Sequence, residues 1–210
     1  MSAKIRSINI ATSSQPQNWS ASGNRTGIDK KPVEGLVQFA NNGVAGDTVV
    51  DTNHHGGYHR AVYAYALEDA QWWESNIGST ITPGMFGENI TTQGLDITGA
   101  LIGEQWRIGD LLLEVAEPRI PCKVFSGFWD RPTLIKEFTE ANRPGAYMRI
   151  IEEGMVEAGT AIEIVHRPSH GITIGDLYAA KSGAREKIAQ IAAVRELSDE
   201  YREWAQKVVS

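Results

Sequence analysis

The chain has a single cysteine among its 210 residues, so it cannot form an internal disulfide bond. It has no excess of basic residues either, because 20 lysines and arginines stand against 26 aspartates and glutamates, for a formal net charge of −6. Nucleic-acid binding depends on clustered positive charge, so this balance argues against DNA or RNA as the main partner. No segment approaches the roughly 20 apolar residues that span a bilayer, and residues 1–14 lack a signal-peptide core. We therefore expect a protein of the reducing cytoplasm without a membrane partner.

Several catalytic sequence signatures are also absent. The chain has no Gly-x-Ser-x-Gly elbow of a serine hydrolase, no Walker phosphate loop and no Gly-x-Gly-x-x-Gly at a strand–helix junction. A cysteine–histidine protease is compatible with the composition, but no flanking signature supports it. Function is therefore inferred from local residue clusters.

Residues 1–165 carry short apolar and β-branched runs separated by turn residues, a pattern typical of strands. Candidate strands cover residues 4–11, 33–40, 43–50, 60–66, 104–108, 111–116, 147–152 and 161–165. Gly109-Asp110, between two of these runs, suits a two-residue type II′ hairpin loop. Two helices are predicted from apolar faces, one formed by Ala66, Ala70, Trp73 and Ile77 and one by Leu134, Ile135 and Phe138. The pattern favours a mainly β fold, a closed or nearly closed β-barrel with peripheral helices.

The composition shifts near residues 167–168, and the rest of the chain is predicted to be helical. Thr173 and Asp176 have the spacing of a capping box, and Ser198 can cap a last helix. The apolar stripes of this tail are Ile188, Ile191 and Ala192, followed by Tyr201, Trp204, Ala205 and Val208. About three short helices are too small for a core of their own, so we expect the tail to dock on the barrel or on a partner.

Cys122 ends a stiff segment, residues 117–122, that follows an extended run. Pro118 and Pro121 fix φ and bias the residues before them toward extended conformations. Arg119 supplies positive charge that favours a thiolate, which is the form that binds metals and attacks electrophiles. The alternative is that Cys122 is a small buried apolar residue, since free cysteine is among the most buried residue types.

A histidine-rich segment spans residues 46–62 and allows three interpretations. A direct zinc or iron site would use His54, His55, His59 and Asp51 as ligands. In an anion- or cofactor-binding loop, Gly56-Gly57 would let backbone N–H groups approach a bound group, and Arg60 would add a charge suited to phosphate. The third interpretation is a polar turn before a buried strand.

Two further segments are ambiguous on their own. In residues 84–89, Glu88 and Asn89 either bind the polar edges of a ligand or belong to a turn that starts a strand. In residues 26–33, Lys30 or Lys31 either reaches a phosphate or forms part of a solvated basic turn.

Taken together and in this order, the segments resemble the MOSC domain, named for the C-terminal part of molybdenum-cofactor sulfurases. The matching positions are Thr26-Gly27-Ile28 with Lys30, Gly46-Asp47, His55-Gly56-Gly57, Arg60-Ala61-Val62, Phe86-Gly87-Glu88-Asn89, Gly109-Asp110 and Pro118-Arg119-x-Pro121-Cys122. The resemblance implies a MOSC β-barrel over residues 25–165, joined by an N-terminal strand within residues 1–24. Residues 170–210 resemble the three-helix extension of stand-alone bacterial members.

The resemblance also implies binding of the molybdenum cofactor, molybdopterin, a pterin with a dithiolene and a phosphate. The family's cysteine falls on Cys122, which would be the catalytic residue and the molybdenum ligand in a reductase. The positions implied to surround the pterin and its phosphate are Lys30, His55, Gly56, Gly57, Arg60 and Arg119, with Glu88 and Asn89 lining the same cleft. Tyr58-His59 stands where acidic or polar residues are common, which is a departure from the family pattern.

These implications lead to three expected functions. The first is an oxidoreductase for N-hydroxylated small molecules, such as hydroxylaminopurines or amidoximes, which takes electrons from an external donor protein because the chain has no iron–sulfur domain. The second is a non-catalytic carrier of the cofactor, or of sulfur as a persulfide on Cys122. The third is a metal-dependent hydrolase that uses the histidine cluster.

Overall fold

The structure, a computed structural model, describes residues 2–16, 25–52 and 55–209. The strands are β1 Lys4–Ile10, β2 Gln15–Pro16, β3 Arg25–Thr26, β4 Lys31–Val33, β5 Val37–Ala40, β6 Gly43–Val44, β7 Val62–Ala66, β8 Ile90–Gln93, β9 Gln105–Ile108, β10 Leu111–Pro118, β11 Ala146–Glu152, β12 Gly154–Val156 and β13 Glu163–His166. The helices are α1 Leu67–Ile77, α2 Lys123–Phe128, α3 Leu134–Ala141, α4 Ile174–Lys181, α5 Ile188–Ala192 and α6 Asp199–Val209. A 3-10 turn, Tyr58–Arg60, precedes β7.

The main sheet has eight strands in the order β13-β9-β10-β11-β7-β8-β1-β4, with a smaller sheet β12-β5-β6 and the pair β2-β3. Neighbours in the main sheet run antiparallel, except that β7 and β8 are parallel. The predicted sheet-dominated fold is confirmed.

The two ends of the main sheet approach each other beside β1. Lys4 and Ala161 form an isolated bridge, and the Ile5 amide donates to the Thr160 carbonyl at 2.9 Å. The Ile162 amide donates to the Ala3 carbonyl, also at 2.9 Å. Within the described residues, however, the sheet order ends at β13 on one side and β4 on the other, and these two strands are not paired. The structure therefore supports a curled mixed sheet rather than a fully paired barrel.

Strands β7 and β11 separate two hydrophobic cores. Successive side chains of a strand point to opposite faces. In β7, Val62, Ala64 and Ala66 enter the larger core, whereas Tyr63 and Tyr65 enter a smaller core rich in aromatic rings. Because both faces are covered, the run 60–66 is almost continuously apolar instead of alternating.

Two predicted strands are shorter than the sequence pattern indicated. The run 33–40 is divided between β4 and β5 by a turn in which Gly35 has φ 78°, and the run 43–50 is reduced to β6 before Gly46 with φ 80°. Positive φ values are tolerated by glycine but end a strand. The hairpin at Gly109-Asp110 is confirmed, because Leu111 pairs with Ile108 across it and Gly109 has φ 57°.

The tail forms helices α4, α5 and α6. Its predicted capping box is confirmed, because the Asp176 amide donates to the Thr173 hydroxyl at 3.0 Å and the Thr173 amide donates to the Asp176 carboxylate at 3.1 Å. Leu177, Ile191 and Tyr201 belong to the same core as the sheet residues, so the tail packs on the sheet. No helix in the described ranges is long and apolar enough to cross a membrane.

Candidate functional site

A cavity of about 660 Å³ lies where β7 and β11 begin and β10 ends. Loop residues before β4, β7 and β8 and after β10 also line it, together with the last residue of α4 and first-turn residues of α6. A shallower groove of about 480 Å³ runs along the edge strand β13, and it is lined by residues 164–167, none of which was predicted to have a function. The larger cavity is therefore the candidate site.

The cavity brings together most of the predicted site residues, although they are far apart in sequence. Its lining includes Lys30, His55, Gly56, Arg60, Asn89, Arg119 and Cys122. Gly57 and Glu88 do not line it. His54, which one metal interpretation used, lies outside the described residues.

Cys122 is half-buried at the cavity wall, directly before α2. Its backbone is extended, with φ −132° and ψ 174°, and its side chain makes no capping hydrogen bond to the helix. The Cys122 carbonyl accepts a bond from the Ser126 amide at 3.2 Å, which fixes the backbone at this point. The backbone therefore holds the thiol beside the cavity, as chemical use of the cysteine requires. The side chain also packs against the aromatic core.

Arg119 is a buried cation that forms no ion pair with any described carboxylate. Only 4% of the residue is exposed. One terminal nitrogen donates to the Phe86 carbonyl, and the guanidinium carbon lies 4.5 Å from the ring centroid of Phe125 and 5.2 Å from that of Tyr63. Its Nε is buried and has no hydrogen-bond partner within the described part of the protein. A buried charge without a counter-ion is costly, so this arrangement favours an anionic ligand in the cavity.

Lys30 is held in a buried polar network instead of facing solvent. Its ammonium pairs with Asp47, whose carboxylate also accepts the Ala11 amide at 2.8 Å and the Asn89 Nδ2 at 2.9 Å. Burial lowers the pKa of Lys30 from its ordinary value, while Asp47 opposes that shift. Lys31 is different, because its exposed ammonium pairs with Asp29 at 2.7 Å outside the cavity. Lys30 is therefore the lysine of this segment that belongs to the site.

The two described histidines of the histidine-rich segment have separate partners. His55 Nδ1 lies 2.7 Å from the Tyr147 hydroxyl, whereas His59 Nδ1 accepts from Arg149 Nε at 2.9 Å. Burial, followed by the charges of Arg149 and Arg60, lowers the pKa of His59. Among the residues that the structure describes, no group of three or more histidine, cysteine, aspartate or glutamate side chains could hold a metal ion. His55 and His59 therefore contact different partners, and His54 of the same interpretation lies outside the described residues.

Comparison with known proteins gives the family. Residues 51–163 match the family model described as the MOSC domain, which is more than half of the chain. The chain belongs to the MOSC domain family.

Relatives of this MOSC protein agree with the fold. It is 29% identical over 172 residues to the uncharacterized protein YflK of Bacillus subtilis, which covers 81% of this chain and 76% of YflK. It is 31% identical over 145 residues to a protein named "Reductase" from Gibberella moniliformis, covering 67% of this chain but only 26% of that protein. The crystal structure of YiiM from Geobacillus stearothermophilus aligns with a TM-score of 0.81 at 27% identity, covering 99% of this chain and 100% of that one.

Arg60 of the MOSC protein is already engaged by two carboxylates. Its Nε pairs with the buried Glu117 of β10, and its Nη2 lies 2.9 Å from Glu200 Oε2 on α6. Side-chain exposure is 2% for Glu117 and 68% for Glu200. The pKa of Arg60 is raised, because these two carboxylates outweigh the effect of burial. An anion could therefore reach this guanidinium only by displacing a carboxylate.

The helical tail contributes cavity residues that were not predicted from the sequence. Lys181, Glu200 and Tyr201 line the cavity, although they lie outside the matched residues 51–163. Tyr63 and Tyr147 line it from β7 and β11, and burial raises the pKa of Tyr147 to about 12. A sequence signal existed for the tyrosines, because polar-tipped aromatics in buried strands need partners. For the tail residues, local sequence carried no such signal.

Glu88, predicted to line the cleft, is buried and is not among the residues that line the cavity. Its carboxylate accepts the Gly84 amide at 2.6 Å, the Phe86 amide at 3.0 Å and the Thr91 hydroxyl at 2.7 Å. These bonds hold the turn that contains Phe86. They thereby also position the Phe86 carbonyl, which accepts a hydrogen bond from Arg119. Gly57 was also predicted to surround the cofactor, but it is exposed outside the cavity, where its φ of 75° shapes the turn before Tyr58.

Glu88→Ala is expected to lower the free energy of unfolding by about 3 kcal/mol, because it leaves two buried amides and a hydroxyl without their acceptor. Denaturant unfolding monitored by fluorescence would measure the change. Glu140→Ala is the matched control, since Glu140 is an exposed carboxylate on α3 that lies 3.8 Å from Lys136. We expect it to change stability by less than about 0.5 kcal/mol. Equal effects of the two substitutions would contradict the structural role of Glu88.

Proposed function

We propose that this protein binds the molybdenum cofactor and reduces N-hydroxylated small molecules, with Cys122 as the protein ligand of molybdenum. The observation that carries the proposal is one cavity lined by both the Cys122 thiol and the buried, carboxylate-free guanidinium of Arg119. Membership of the MOSC family and the name "Reductase" of one relative support the direction of the chemistry.

The residues of the cavity fit such a cofactor. A thiolate is a soft ligand of the kind that binds redox-active metals, and Cys122 supplies one from a fixed backbone. The guanidinium of Arg119 offers a planar donor set for an oxyanion or a pterin edge, and its Nε has no described partner that would have to be displaced. The cavity volume, about 660 Å³, lies within the range of small-molecule sites, roughly 300–1,000 Å³.

Each residue has a distinct part in this proposal. Arg119 binds negative charge, Cys122 fixes the metal, and the Lys30–Asp47–Asn89 network keeps one wall rigid. When bound, the cofactor supplies a two-electron redox centre. In the overall reaction the substrate N–O bond breaks, the oxygen leaves as water, and two electrons and two protons are consumed. The electrons come from an external donor protein in this proposal.

His55 is the cavity residue best suited to move a proton. Histidine titrates near neutral pH, which suits general acid–base work. Because burial raises the pKa of Tyr147 to about 12, its hydroxyl stays protonated and can donate to His55 Nδ1, which is 2.7 Å away. The contact with Tyr147 thereby orients the imidazole ring at the cavity wall.

Two further elements belong to the same proposal. We propose that the curled main sheet forms a barrel that is closed by the hydrogen bonds between β1 and residues 159–162, and not by pairing of β13 with β4. We also propose a reducing, cytoplasmic setting, because a thiol that ligates a metal must stay reduced.

The test is molybdenum and pterin analysis of protein made in a host that produces the cofactor. The same preparation is then assayed for reduction of a hydroxylaminopurine and an amidoxime with a reduced viologen dye as electron source. Near-stoichiometric molybdenum with turnover would support the reductase. Molybdenum without turnover, or a Cys122 persulfide seen by intact mass, would favour the carrier that the half-buried thiol also allows. Protein without molybdenum, pterin or persulfide would end both proposals.

A further inference from the structure

The cavity is also lined by two cations on its tail side, Arg60 and Lys181. Lys181 ends α4, and its Nζ lies 4.3 Å from the ring centroid of Trp204 and 5.0 Å from that of Tyr201. No ion pair joins it to a carboxylate in the described part of the chain. The ammonium is thus held in place by aromatic rings, which leaves its charge available to a ligand.

Arg60 and Lys181 act on the same small region. Burial lowers the pKa of Lys181, the charge of Arg60 lowers it further, and the carboxylates of Glu200 and Glu117 oppose this shift. All four side chains line the cavity, Arg60 pairs with both carboxylates, and Lys181 lies against the ring of Tyr201, the residue after Glu200. An anion placed between the two cations would relieve their mutual repulsion.

Glu200 has the features of an internal substitute for such an anion. It belongs to the first turn of α6, and its carboxylate reaches Arg60 Nη2 at 2.9 Å across 140 residues of sequence. Its side chain is 68% exposed, so it can turn into solvent at small cost, whereas Glu117 is buried and stays bound to Arg60. The start of α6 adds the positive end of a helix dipole at the same place.

We propose that Arg60 and Lys181 form a binding position for a phosphate-type oxyanion, which the carboxylate of Glu200 fills as a substitute and leaves when the anion binds. Arg60 belongs to the matched residues 51–163, whereas Lys181 on α4 and Glu200 on α6 lie outside them, so the tail supplies one side of this position. Two ligands carry such a group, the pterin cofactor and a phosphorylated, nucleotide-like substrate. The inference goes beyond the reductase proposal, because it requires only a phosphate-bearing ligand.

The test is calorimetric titration of the full-length protein with inorganic phosphate. Glu200→Gln is expected to tighten phosphate binding by about threefold to tenfold, because the competing carboxylate is removed. Lys181→Gln is expected to weaken it by about fivefold or more.

Two matched controls come from α6 itself. Glu203 and Lys207 form an exposed pair on this helix, and the side chain of Glu203 is 69% exposed, almost the same as that of Glu200. Glu203→Gln and Lys207→Gln change net charge equally and should alter phosphate affinity by less than about twofold. The proposal is overturned if Glu203→Gln tightens binding as much as Glu200→Gln, if Lys181→Gln binds like the wild type, or if Glu200→Gln shows no saturable binding.

The source of the phosphate is decided by a second measurement. Loss of molybdenum from Lys181→Gln would assign the position to the cofactor. Retained molybdenum, with adenosine monophosphate bound more tightly than adenosine by the wild type alone, would assign it to a phosphorylated substrate. Protein that never holds molybdenum but shows the expected phosphate pattern would refute the reductase proposal and leave this one standing.

Discussion

Cys122→Ser is expected to lower turnover of N-hydroxylated substrates by at least about a hundredfold while leaving the fold intact. Removing even an indirect partner of a metal ligand costs about tenfold to a hundredfold in metal affinity or activity, and a hydroxyl is a much harder ligand than a thiolate. The fold should survive because Cys122 is only half-buried and its side chain caps nothing. Steady-state turnover, molybdenum content and thermal unfolding of the variant test the three parts of this expectation.

Ser126→Ala is the matched control for this prediction. Ser126 lies on the same short helix, and its hydroxyl donates to the Lys123 carbonyl at 3.2 Å. We expect its turnover to stay within about twofold of the wild type. A Cys122→Ser protein that turns over substrate as fast as this control would show that the thiol is not the metal ligand.

Arg119→Met is expected to weaken the affinity for the cofactor or for an anion by about a hundredfold, with little loss of stability. The reason is that Arg119 is a buried charge with no ion-pair partner among the described residues, so a methionine of similar length removes a desolvation cost along with the lost bond to Phe86. We expect the free energy of unfolding of the molybdenum-free protein to change by less than about 1 kcal/mol. Molybdenum content and denaturant unfolding of the same preparations measure both effects.

Arg149→Met provides the contrast, because Arg149 is an equally buried arginine with a full set of partners. It donates to Glu114 Oε1 at 2.5 Å, to His59 Nδ1 at 2.9 Å and to the Glu196 carbonyl at 2.6 Å. Its removal leaves the carboxylate of Glu114 without its ion-pair partner and should lower the free energy of unfolding by about 3 kcal/mol. If Arg119→Met destabilises the protein as much as Arg149→Met does, Arg119 is a structural cation and the ligand role assigned to it fails.

The parts of the fold that sequence could predict are those governed by local chemistry. The hairpin at Gly109-Asp110 and the capping box of Thr173 and Asp176 depend on residues within a few positions of each other, and both are present. The cavity-lining positions of Lys30, Asn89 and Arg119 agree with the order of the motifs. Their roles in binding stay predictions.

The parts that sequence could not predict depend on distant contacts. Helix α2 contains a glycine and a valine and has weak local propensity, and it is secured because Phe125 packs fully buried in the aromatic core. The local sequence around Glu88 does not distinguish it from a ligand-binding carboxylate. Only the structure of the turn shows that its oxygens already accept backbone hydrogen bonds. The Arg60–Glu200 pair joins residues 140 positions apart, which no local periodicity encodes.

The sheet and the helical tail share one hydrophobic core, and this core is larger than the segment that matches the family model. The segment that matches the family model, residues 51–163, omits β1, which lies between β8 and β4 in the main sheet. It also omits α4, α5 and α6, whose Leu177, Ile191 and Tyr201 complete the interior. The packed interior therefore extends beyond the matched segment, and substitutions in the tail are constrained by the shape of the sheet on which it packs.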